Sequence, residues 1–267
     1  MNILLDTSVL IHAEIAERAK TVQEIAWGPT VQKIPVAGYR RKSPDPDPEQ
    51  QREKDALFTI GRLIREGRVT AYRYHEVMVE FGRRGSPRGV NALGGCELNW
   101  CKPAIDRTKL FQTLAGDDED KGGKKDKAAG KIDHGFSQIS AFTEIKNYTP
   151  PMVDALIKNA NLIDLTPFEI GSLRDLAWFR FACDRSESRE NYPDVFHLWT
   201  AERHGFAFLT LEKKLGRLVQ RIRSERKSPV EIKTKVYRPT ELLEALEVSD
   251  LDPVPLEFNR FYPLHGF

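Results

Sequence analysis

The chain has 267 residues, 40% of them hydrophobic and 30% charged, which suits a soluble globular protein of one enlarged domain or one and a half. Its net charge of +2 is too small to point to nucleic acid by itself, its three cysteines argue against a disulfide framework, and no apolar run approaches the ~18 residues that span a bilayer. The opening apolar stretch at 3–5 is too short for a signal segment, so the expected setting is cytoplasmic.

Residues 2–5 read as a short buried strand that stops at Asp6, and 7–20 as a helix. A loop is expected at about 27–51, because Pro44, Pro46 and Pro48 forbid a helix around them. Helical spacing resumes over 52–66, followed by a strand at 69–72 and a helix at 74–83. The stretch at about 85–150 reads as an insertion, with some helix after Phe136. Within it, 116–135 places an acidic block before a basic one and reads as a mobile loop. A strand at 161–165, a helix at 168–182, a helix at 194–204 ended by Gly205, and a strand at 206–210 follow. A basic helix at about 212–224, a last strand at 235–238 and a helix opened by Pro239 complete the pattern. Strands alternating with helices predict an α/β fold with a mainly parallel central sheet, running to residue 247, with 248–267 as a C-terminal extension.

Four acids fall where an open parallel sheet collects functional groups, beside the carboxyl ends of its strands. Asp6 follows the first strand, Glu76 lies one turn into the helix after the second, Asp194 opens the helix at 194–204, and Glu212 follows the strand at 206–210. Clustered carboxylates repel one another unless a cation compensates, and hard oxygen donors suit Mg²⁺ or Mn²⁺. Each acid has a plainer explanation as well. Asp6 and Asp194 can cap helices, Glu212 can serve a helix dipole, and Glu76 can be a solvated helix residue with Glu80 as its rival. His197, one turn after Asp194, reads as a core or surface histidine rather than a site residue. Cys96 and Cys101 with His75 or His134 make a weaker zinc pattern, set against free thiols. Segment 213–227 holds Lys213, Lys214, Arg217, Arg221, Arg223, Arg226 and Lys227 against one acid, Glu225, and is either a phosphate-attracting stripe or a solvated face.

Three segments together resemble the PIN-domain nucleases, a family that includes the toxin ribonucleases of bacterial toxin–antitoxin pairs. The first is the apolar start running into Asp6, Thr7 and Ser8. The second runs from Asp194 through Ala201, Gly205 and Thr210 to Glu212. The third is the closing strand and helix from Val236 to Leu243. Val69 to Glu76 fits the same pattern, and the resemblance covers about 1–25, 52–83 and 160–247. It implies a PIN-like sheet flanked by helices and a Mg²⁺- or Mn²⁺-dependent endoribonuclease hydrolysing phosphodiester bonds. It also implies that Asp6, Glu76, Asp194 and Glu212 are the metal-binding and catalytic acids. Ser8 and Thr210 would stand at the site edge. The basic stripe follows Glu212 directly, so Lys213, Arg217 and Arg221 are the expected RNA phosphate contacts. An antitoxin-like protein and a second copy of the chain are candidate partners. The chain departs from the family where an aspartate is expected and Glu212 stands, and it is longer than a small toxin. The alternatives are a catalytically weakened RNA- or protein-binding scaffold and, lower, a phosphatase of the haloacid dehalogenase type. That last chemistry wants a second aspartate where this chain has Ser8.

Overall fold

The computed structural model describes residues 1–83, 90–112, 134–226 and 228–264. Its strands are β1 (Asn2–Leu5), β2 (Ala16–Trp27), β3 (Thr30–Arg41), β4 (Thr70–Arg73), β5 (Leu98–Trp100), β6 (Ala207–Leu209), β7 (Val236–Tyr237) and β8 (Phe261–Pro263). Its helices are α1 (Thr7–His12), α2 (Pro48–Arg65), α3 (His75–Arg83), α4 (Arg107–Gln112), α5 (His134–Asn147), α6 (Pro150–Lys158), α7 (Pro167–Arg174), α8 (Leu176–Arg185), α9 (Tyr192–His204), α10 (Lys213–Ser224) and α11 (Pro239–Ala245). The chain divides into two units. One holds Met1–Trp100, Phe208–Glu212 and Val236–Phe267, and the other holds Cys101–Ala207 and Lys213–Lys235.

The first unit is built on a five-stranded sheet in the order β5-β4-β1-β6-β7. The pairs β1 with β4, β4 with β5 and β6 with β7 are all parallel. Central β1 is flanked on both sides, and Ile3, Leu4 and Leu5 are buried, as a strand covered on both faces requires. The chain steps outward from β1 through β4 to β5, then returns to the other side of β1 with β6 and β7. The order therefore reverses between β1 and β6, and such a switch point leaves a crevice at the carboxyl ends of the two strands. Helix α11 packs on α2, where buried Glu53 accepts hydrogen bonds from the Thr240 N–H (2.9 Å) and hydroxyl (2.6 Å). The α/β class and the mainly parallel sheet expected from the sequence are present.

Several local expectations fail for identifiable reasons. The helix at 7–20 stops at His12, and Ala16–Trp27 and Thr30–Arg41 pair as a long antiparallel hairpin where a loop was expected at about 27–51. Gly28, with φ 61, supplies the positive φ at the first turn position, and Pro29 fits the second. Pro48 is the first residue of α2 rather than part of the loop, because Asp47 caps the helix by accepting from the Glu49 N–H at 3.0 Å. Residues 161–165 form a turn, not a strand: Leu162 is exposed and Asp164 takes φ 52. The helix at 168–182 is broken at Asp175 into α7 and α8. The insertion at about 85–150 contributes β5 to the sheet edge and α4 and α5 to the second unit. Most of the low-complexity stretch at 116–135 lies outside the described residues, as does Lys227. Residues 248–264 belong to the first unit: Leu256 is buried against Ile15 and Ala16, and β8 pairs with β3.

The second unit is helical among its described residues. Its core is aromatic, with Phe142 stacked on Phe196 (ring centroids 4.4 Å) and Phe179 stacked on Trp199 (5.0 Å). Most of α9 is buried, including His197, which is therefore a core histidine. Gly205 ends α9 in the left-handed region with φ 66, as expected.

Candidate functional site

Asp6 sits where β1 ends at the switch point, and it is 5% exposed. Its own N–H donates to the Leu209 carbonyl at 3.0 Å, so the carboxyl ends of β1 and β6 lie side by side. The Asp6 backbone is extended, and its side chain caps α1 by accepting from the Thr7 N–H at 2.8 Å. Capping does not exhaust its role. The other carboxylate oxygen accepts from the Ser8 hydroxyl (2.5 Å) and from the Thr210 hydroxyl (2.7 Å), which arrives from the end of β6. The Ser8 oxygen in turn accepts from the Leu211 N–H at 3.1 Å, and the Thr210 oxygen accepts from the Glu212 N–H at 3.0 Å. A closed network thus ties the two strand ends together across 204 residues of sequence.

A carboxylate offers about four lone-pair positions. At Asp6 protein donors take three of them. Hydrogen bonds to a charged group contribute about 1.5–3 kcal/mol each, which offsets the cost of burying the charge.

Glu76, in the first turn of α3, follows the strand next to β1 and is 4% exposed. Its rival Glu80 is joined to the Asp6 segment by a 2.6 Å hydrogen bond that it accepts from the Thr7 hydroxyl. No sequence signal links positions 7 and 80; only the packing of α1 on α3 brings them together. Glu212 is exposed and lies before α10, not within its first turn. Asp6, Glu76 and Glu212 thus follow β1, β4 and β6 respectively, three neighbouring strands of one sheet.

Asp194 belongs to the second unit. It is the third residue of α9 and not its cap, a position that Asn191 holds. Its carboxylate is ion-paired with the Lys214 ammonium at 2.9 Å, a partner that the basic stripe hid among similar residues. The rest of that stripe is only partly available. Arg221 donates to the Arg185 carbonyl, and Arg223 holds the Ile232 and Thr234 carbonyls. Arg185 pairs with Glu225 at 2.6 Å. Lys213 and Arg217 are exposed.

Among the described residues, no three histidines, cysteines, aspartates or glutamates stand close enough together to hold a metal ion. The donors around Asp6 are hard oxygens, so their chemistry suits Mg²⁺ or Mn²⁺, but as the side chains stand they do not form a ligand set. The thiols do not offer a softer one. Burial pushes the Cys96 and Cys183 thiols up and the Cys101 thiol up to about 12, and the Cys96 thiol donates to the Gly61 carbonyl. Compared with protein-family models, curated proteins and solved structures, the chain matches none.

Proposed function

We propose that the chain is a PIN-like ribonuclease that depends on Mg²⁺ or Mn²⁺. The observation that carries this reading is the buried Asp6 carboxylate at the switch point between β1 and β6, one oxygen of which accepts from the hydroxyls of Ser8 and Thr210. In this reading Asp6, Glu76 and Glu212 are the acids that the first unit contributes. The share of Asp194 rests on its sequence spacing to Glu212 alone. Lys213, Arg217 and Arg221 are its RNA contacts, and an antitoxin-like protein is a partner it allows. Because the acids are not gathered as a ligand set, ion binding requires their side chains to rearrange.

A second reading, a PIN-like scaffold that binds RNA or protein without cutting, has its own support. Three protein donors already hold Asp6, Lys214 neutralises Asp194, and Glu212 stands where the family pattern has aspartate.

Cleavage of single-stranded and structured RNA with Mn²⁺, against a chelator control, tests the first reading. Asp6→Asn and Asp194→Asn are expected to abolish cleavage with unchanged circular dichroism; unchanged turnover in either sinks the mechanism. RNA binding without cleavage by the unaltered protein selects the scaffold. Charge reversal at exposed Arg217 is expected to weaken RNA binding and flatten its salt dependence.

A further inference from the structure

The hairpin of β2 and β3 is the feature that neither reading uses. Residues 22–35 are exposed on both faces of the ribbon. Five of the twelve large apolar side chains exposed among the described residues lie on it. Ile25, Trp27 and Ile34 share one face, and Val22 and Val31 share the other, as the register dictates. A two-stranded ribbon alone is marginally stable in water, and its free edges are templates for pairing.

The two edges are not alike. The outer edge of β3 is covered by β8 at Gly38, Tyr39 and Arg40, and further out it is interrupted by Pro35, which has no N–H to offer. The edge of β2 has no proline and, among the described residues, no strand neighbour other than β3. Trp27 and Thr30 flank the two-residue turn and form its closing pair, so alternate residues back along β2 bond to β3 while Val22, Lys20 and Glu24 turn their backbone groups outward. Pro35 lies opposite Val22, at a position where the ladder needs no donor, which agrees with this phase.

We infer that the β2 edge pairs antiparallel with the β2 edge of a second copy of this chain, centred on Val22. That register sets Lys20 opposite Glu24 of the other copy, twice by symmetry, and opposes no like charges between Glu17 and Trp27. Centring instead on Lys20 or Glu24 brings like charges face to face. Glu24 already pairs within its own hairpin with Lys33 at 3.2 Å, so it would stand between two cations. The result is one continuous sheet, β8-β3-β2 of one copy joined to β2-β3-β8 of the other, four strands wide beyond the β8 strands. The inference is independent of any nuclease activity.

Sedimentation velocity on the full chain over a range of concentrations reads the result. The unaltered protein is expected to move from one to two chain masses as concentration rises. Val22→Pro removes only an outward donor, and Lys20→Glu opposes Glu24 of the other copy; both are expected to remain at one chain mass with unchanged circular dichroism. A monomer at every concentration overturns the proposal, as does a dimer that survives both substitutions. A monomer whose hairpin instead binds RNA, shown by loss of RNA binding in Lys20→Glu, overturns it too.

Discussion

The Thr210 hydroxyl donates to Asp6 and accepts from the Glu212 N–H, and the residue is 1% exposed. Thr210→Val keeps the shape and removes both. The carboxylate and the N–H are each left a partner short, so urea unfolding is expected to show a loss of about 1–3 kcal/mol. A change below the resolution of the urea curve would mean that the network adds nothing to the fold. Glu169 gives the contrasting case of a buried acid with a purely structural explanation. Burial alone would raise its carboxyl, but the Thr166 N–H and hydroxyl, the Lys109 ammonium at 2.9 Å and the Asp106 N–H outweigh burial and hold it below its usual value. A carboxyl lowered by folding stabilises in full above its unfolded-state pKa, and that contribution is lost as pH falls through the folded value. Glu169→Gln is therefore expected to lower the melting temperature at neutral pH. The gap to the unaltered protein should close as pH falls below the ordinary carboxylate range, and a gap independent of pH would contradict this assignment.

Among the elements, the hairpin depends on how its base is held. Gly38 is buried where β8 crosses β3, and a Cβ there would stand 2.2 Å from the Tyr262 carbonyl oxygen and 2.5 Å from the Phe261 ring. Gly38→Ala is expected to release the 261–263 strand while the β2–β3 ladder persists. Faster proteolysis near residue 260 would report this, and an unchanged cleavage pattern would count against it. The same hairpin marks where sequence reading ran out. Its strands carry Glu17, Arg18, Lys20, Glu24 and Lys33 with no buried face beyond the base, so the alternation that identifies a half-buried strand is missing. By contrast β1, β4, β6 and α9 through Gly205 were legible, because burial on a sheet or in a core imposes apolar runs and end signals. Asp6 was legible because it interrupts such a run. Its partners Ser8 and Thr210 were named from a resemblance, whereas the Thr7–Glu80 and Asp194–Lys214 pairs depend on packing that no local pattern encodes.

At the scale of the molecule, the first unit is gathered from three separate stretches of chain, with β6 returning only after α4 to α9 of the second unit and β7 only after its α10. Among the described residues, no helix is long and apolar enough to cross a membrane. The closure of Asp6 by Thr210 spans 204 residues, which has a consequence for timing during synthesis. A ribosome adds roughly 5–20 residues per second, so Asp6 leaves the peptidyl-transferase centre about 10–40 s before Thr210 is made. Throughout that interval the central strand lacks one neighbour and the aspartate lacks one donor. The nascent chain therefore carries an unfinished crevice, and whatever the crevice does begins only after Thr210 has been made and has reached it.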